Sequence, residues 1–198
     1  AASDVYKRQE AAIPAFYQQV SPYFQQLNLL AVQQGSALLS GIPTIGNEQY
    51  QRRPPRNSVI AVGNASGVYH KEHLVPFGEY VPLENIFGKL MAFFELPMSG
   101  MQAGEADQEP LFIHDWRSRP LICYEIVYPT LTAKAAAVSD VLITVSNDSW
   151  FGKSLGPIQH LQMAQMRALE NGKYLLRSTG NGISAIINQQ GKIVSRSE

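Results

Sequence analysis

Cysteine is nearly absent: Cys123 is the single one among 198 residues, so no internal disulfide can form. One thiol does not assign a redox compartment. Long apolar runs are missing as well. The longest, Leu90-Met91-Ala92-Phe93-Phe94 and, with its one threonine, Val141-Leu142-Ile143-Thr144-Val145, fall far short of the roughly 20 residues a membrane-spanning helix needs. The first residues lack the basic-then-apolar layout of a signal peptide. Charge is sparse, 16% of residues against about 25% in an average globular domain. It is also balanced, with sixteen basic and sixteen acidic side chains and a formal net charge of zero. A general nucleic-acid binder carries a basic excess, so phosphate binding is not expected as the main task. What is present is a core-forming composition, 45% hydrophobic with no polar low-complexity tract, which excludes global disorder.

Apolar residues at Phe16, Val20, Tyr23, Phe24, Leu27 and Leu30 predict an amphipathic helix over Pro14 to Gln34, interrupted by Pro22. Ala37 to Ile42 reads as a buried strand. Asn47 to Asn57 is a polar loop, and a hairpin follows, Ser58 to Val62 and Val68 to Lys71 around a Gly63–Gly67 turn. Leu83, Ile86, Phe87, Leu90, Met91 and Phe94 match the helical template, and a loop runs from Pro97 to Pro110. Leu121-Ile122 enters Cys123, an alanine-rich helix spans Pro129 to Ser139, and Val141 to Val145 is the next strand. Pro157 opens, and Asn171-Gly172 closes, a helix over Ile158 to Asn171. Tyr174 to Ser178, Ile183 to Ile187 and Lys192 to Val194 complete the strands. Helices and strands alternate, and the fold class is α/β.

Few residues suggest chemistry on their own. Cys123, at the carboxyl end of a strand, is either a buried structural thiol or a nucleophile that needs a base or a cation to ionise near neutral pH. Lys71 reads as a surface charge, although the following stretch, with Pro76, Gly78, Glu79 and Pro82, is unusual for a plain loop. Glu10 suits the start of a helix, where an acid is favoured by the dipole. His70 and His73 beside Lys71, Glu72 and Glu79 fit no zinc spacing, so no metal is expected. His160 and Arg167 are accounted for by structural hydrogen bonds.

Five blocks join these weak signals: EAAIP, YHKEHLVPFGEYVP, LICYEI, VSNDSWFG and GPIQHLQMAQMRALENGKYLLRSTGNG. In this order they resemble the nitrilase (carbon–nitrogen hydrolase) superfamily, and more narrowly its membrane-bound branch, the apolipoprotein N-acyltransferases. The resemblance runs from Glu10 to about Gly191. It implies a four-layer α-β-β-α sandwich and a triad of Glu10, Lys71 and Cys123, with Glu79, Tyr124 and Glu125 in supporting positions. It also implies no cofactor, a phospholipid acyl donor and a diacylglyceryl-modified apolipoprotein as acceptor. The site implied is the periplasmic side of the bacterial inner membrane, reached through helices of a longer parent.

That branch leads to further expectations. Phe87, Leu90, Met91 and Phe94 are candidates for contact with a bilayer or acyl chains, core packing being the alternative. Trp150 is a candidate for the wall of the acyl pocket, with core packing an equal alternative. The family expects more chain ahead of the triad glutamate and a Trp-Pro-like approach to it, where this sequence has Arg8-Gln9. Residues 1–9 are therefore read as a leader foreign to the family, and residues 10–198 as a partial catalytic domain truncated at both ends. Two other readings remain: a soluble nitrilase-type amidase acting on small amides, and a non-catalytic module of the same fold.

Overall fold

The computed structural model describes residues 5–8, 13, 15–45, 54–76, 78–80 and 100–197, with residues 5–8 described by their backbone. Two sheets pack face to face, and helices cover the outer face of each. The first sheet is built from β1 (Val5–Arg8), β2 (Ala37–Thr44), β3 (Arg56–Gly63) and β5 (Val68–His70), in the order β1-β2-β3-β5. The second contains β8 (Leu121–Ile122), β9 (Leu142–Asn147), β10 (Leu175–Gly180), β11 (Ser184–Ile187) and β12 (Ile193–Ser197), in the order β12-β11-β10-β9-β8. Strands β8, β9 and β10 run parallel, and β11 and β12 add antiparallel neighbours.

Alternation along each strand explains the layering. In β2 and β3, Ala37, Leu39, Val59 and Ala61 point inward to Ile122, Ile143 and Val145 of the second sheet. Ile42 and Ile60, of the opposite parity, pack on Phe24 of α1 (Tyr17–Gln33). Across the second sheet, Leu121 and Leu142 face outward onto α2 (Pro129–Ala137) and α3 (Gly156–Asn171). Helix α3 meets that sheet with Leu161, Ala164 and Ala168 at helical spacing, and the two alanines permit close approach. Its end falls where expected: Gly172 caps it in the left-handed conformation at φ 59°. The result is the anticipated α-β-β-α sandwich.

Several boundaries differ from expectation for physical reasons. Pro22 lies inside α1, and the break falls two residues earlier, at Val20 (φ −117°, ψ 16°). Proline has no N–H for the Gln18 carbonyl and restricts the residue before it, and the Ser21 hydroxyl turns to that carbonyl at 3.5 Å. The expected Gly63–Gly67 turn contains a short strand, β4 (Ala65–Ser66), which leaves the hairpin to pair with β6 (Leu111–Ile113). Strands β6 and β7 (Trp116–Ser118) form a hairpin that the sequence reading did not assign. Val5–Arg8, to which the sequence reading gave no element, pairs in parallel with Ala37–Ser40 as β1 and extends the first sheet. The helix expected over Leu83 to Phe94 lies outside the described residues.

Candidate active site

Strand β8 ends at Ile122, and at Cys123 the chain turns abruptly into a 3-10 helix, Cys123–Val127. Cys123 has φ 55°, a left-handed conformation that costs a non-glycine residue about 1–2 kcal/mol. Something must hold it there. The side chain of Glu125 reaches back to accept the Ile122 N–H at 2.7 Å. The same carboxylate accepts the N–H groups of Glu72 (2.7 Å) and His73 (2.9 Å) and the hydroxyl of Tyr69. Glu125 thus joins the turn at Cys123 to the segment after Lys71. It is fully buried, and that burial pushes its carboxyl up to about 7 against the opposing pull of the His73 and Ile122 N–H groups and of Lys71. Burial and the facing Glu125 raise the Tyr69 hydroxyl well above its usual range, so it stays a donor.

Lys71 follows the last residue of β5. Its side chain is 1% exposed, unlike the surface charge that its type alone would suggest. Its Nζ lies 2.8 Å from both carboxylate oxygens of Glu79. Glu79 also accepts the Val75 N–H at 2.8 Å and the Asn57 side-chain N–H at 3.3 Å. The Pro76–Gly78 turn, with the Gly78 and Glu79 N–H groups both on the Val75 carbonyl, folds the segment back so that this pairing forms.

The ends of both sheets open into one cavity of about 320 Å³. Cys123 and Tyr124 reach it from the end of β8, Asn147, Trp150 and Phe151 from the end of β9, and Lys71 and Glu79 from beyond β5. Pro43, Val75 and Met101 add to an otherwise apolar wall. Trp150 is 65% exposed, so it stands at the rim of the cavity and is not part of the core. Lys71, Glu79, Cys123, Tyr124 and Trp150 are therefore brought together, while Glu125 lies beneath the cavity as a buried support. Glu10, Phe87, Leu90, Met91 and Phe94 fall outside the described residues. Among the described residues, no group of three or more His, Cys, Asp or Glu side chains is placed to hold a metal ion.

The carbon–nitrogen hydrolase family profile matches residues 3–198. This chain belongs to that family. An apolipoprotein N-acyltransferase of Azotobacter vinelandii is 48% identical over 188 residues, covering 94% of this chain and 36% of the relative. Another protein of that name, from Pseudomonas putida, is 46% identical over 187 residues, covering 94% and 37%. The chain thus spans little more than a third of the length of these relatives. The crystal structure of a carbon–nitrogen hydrolase from Helicobacter pylori superposes with a TM-score of 0.71 at 14% identity, over 98% of this chain and 73% of the other. At that identity the likeness concerns the fold.

Sequence reading missed part of this carbon–nitrogen hydrolase site. Asn57 sits in no recognisable spacing, and Asn147, although inside the VSNDSWFG block, was not singled out; the place of both on the wall follows from the sheet ends. His160, read from the sequence as a structural hydrogen-bonding residue with no catalytic role, lies 3.2 Å from the Cys123 carbonyl through Nε2, across 37 residues of chain. Arg167 pairs with Glu170 at 2.9 Å along α3, a structural contact as anticipated.

Proposed function

We propose that this chain carries the catalytic machinery of a phospholipid-dependent lipoprotein N-acyltransferase. What carries the reading is the cavity. It sets Cys123 beside a buried Lys71–Glu79 pair, within a wall whose Trp150, Phe151, Met101 and Val75 suit an acyl chain better than a small polar amide. The names of the relatives, at 46–48% identity, point the same way.

In this scheme Cys123 is the nucleophile, Glu10 the general base and Lys71 the charge that stabilises thiolate and oxyanion. Glu10 accepts the thiol proton as Sγ attacks the ester carbonyl of a phospholipid. The tetrahedral intermediate collapses, the C–O bond breaks, and the lyso-lipid alkoxide leaves with the proton from Glu10. The N-terminal amine of a diacylglyceryl-cysteine lipoprotein then attacks the thioester and gives its proton to Glu10. The C–S bond breaks, an amide forms, and the thiol is restored. A thioester is more reactive toward amines than an oxygen ester, which suits a cysteine to ester-to-amide transfer. Glu79 holds Lys71 in place, and Tyr124 borders the acyl group. The workplace would be the periplasmic side of a bacterial inner membrane. Among the described residues no helix is long and apolar enough to cross a membrane.

Mass spectrometry of the protein incubated with phospholipid in detergent tests this. A fatty-acyl adduct on Cys123, absent in Cys123→Ala and transferred to a diacylglyceryl peptide, is expected. No adduct, with ammonia released from small amides, would place the chain with the amidases.

A further inference from the structure

Beneath the cavity lies a buried cluster that the acyl-transfer scheme does not use. Asp148, His160 and Arg177 are 0%, 2% and 2% exposed. Arg177 Nη2 donates to Asp148 Oδ2 at 2.7 Å, and the Ser146 hydroxyl donates to Oδ1 at 2.8 Å. His160 Nδ1 faces Asp148 Oδ1 at 3.1 Å and Arg177 Nη2 at 3.2 Å, while Nε2 faces the Cys123 carbonyl oxygen at 3.2 Å. Burial pushes the Asp148 carboxyl up, but His160, Arg177 and Ser146 outweigh it and hold the group below its ordinary range, ionised.

The partners dictate where the imidazole carries hydrogen. A carbonyl oxygen only accepts, so Nε2 holds a hydrogen and donates to Cys123. Nδ1 then either accepts from Arg177 or, if protonated, donates to Asp148; the bond to Cys123 survives in both states. The turn is thereby held at both ends: Glu125 takes the N–H of Ile122, and His160 donates to the carbonyl of Cys123. The imidazole ring also packs against Phe151 (5.8 Å between centroids) and Tyr124 (6.5 Å), which line the cavity.

We propose that His160 is a positioning residue for Cys123, holding the nucleophile's strained backbone through its Nε2–H, with Asp148 and Arg177 fixing the ring. The proposal rests on the reading of Cys123 as nucleophile, and it extends to a thiol-reactivity measurement that needs no acyl substrate.

Two substitutions separate positioning from packing. The side-chain nitrogen of glutamine overlies Nε2 of histidine, and that of asparagine overlies Nδ1. His160→Gln keeps the donor toward Cys123, whereas His160→Asn keeps only the Asp148 side. Expected is a fall in kcat, with KM little changed, on the order of 10- to 100-fold for His160→Asn, the scale of a nucleophile misplaced by a fraction of an ångström to an ångström. Alkylation of Cys123 by iodoacetamide at neutral pH slows with it, and His160→Gln stays close to wild type in both. Should the asparagine variant not fold, His160→Phe, which keeps a ring but no donor, takes its place with the same expectation. Equal rates in all variants, losses that follow thermal midpoints alone, or a slower glutamine than asparagine variant would overturn the proposal. Wild-type protein that is alkylated at Cys123 but never acylated would instead count against the acyltransferase reading and leave the alkylation comparison to decide the role of His160.

Discussion

Lys71 and Glu79 form a buried ion pair in which one ammonium nitrogen lies 2.8 Å from both carboxylate oxygens. Eight residues and one tight turn separate them. Breaking such a pair from one side leaves an uncompensated interior charge, which costs about 3–5 kcal/mol. Glu79→Ala is expected to lose stability of that order in urea denaturation. Adding Lys71→Met should recover much of it, though not activity. A loss below about 1 kcal/mol, the scale of an exposed pair, would contradict the burial described.

The pH response of Glu125 has a definite sign. Its folded carboxyl is raised to about 7 from an ordinary 4.5, so between these values the folded state holds a proton that the unfolded chain has released. The contribution is full below pH 4.5 and is lost as pH rises through 7. Glu125→Gln does not titrate, and its amide also faces the Ile122 N–H with a donor. The stability of wild type relative to Glu125→Gln should therefore fall by about 3 kcal/mol across that window, the size of a shift of some two and a half pH units. Paired urea titrations at several pH values measure it; a constant difference would refute the assignment.

Trp150 separates lipid contact from core packing. At 65% exposure its truncation removes little buried surface, so Trp150→Ala should leave stability within about 0.5 kcal/mol. Under the acyltransferase reading it should raise KM for long-chain phospholipid donors more than for short-chain ones. Equal changes for both would remove Trp150 from the acyl path.

Gly182 is needed where it stands. A Cβ there would lie 2.5 Å from Asp148 Oδ2 and 2.8 Å from Asp148 Cβ. Gly182→Ala is expected to cost about 1–3 kcal/mol through overpacking. Because it displaces Asp148, it should also slow alkylation of Cys123. Retained stability with unchanged alkylation would show that the cluster tolerates movement.

Much of the fold was legible because its signals are local. Pro157 and Gly172 bracket α3, alternation marks β2, β3 and β9, and the blocks around Lys71 and Cys123 carry the family resemblance. The departure of β4 from its hairpin was not legible, since two residues, Ala65-Ser66, hold no period, and only the β6–β7 hairpin supplies their partner. That the hydrogen bond of His160 goes to Cys123 was not legible for a similar reason. On its helix it looks like any half-polar position, and its partner lies at the end of a strand 37 residues away.

By itself, the sequence determined the α/β class and the order of the longer helices and strands, because periodicity, capping and turn preference act over a few residues; the candidates for acyl chemistry came from the family resemblance of its blocks. Only the tertiary structure decided that Lys71 is buried against Glu79, that Glu125 supports the Cys123 turn from below, and that His160 meets its carbonyl. Those contacts form where two sheets pack and their ends converge. There, exclusion of water makes each paired charge and hydrogen bond costly to lose.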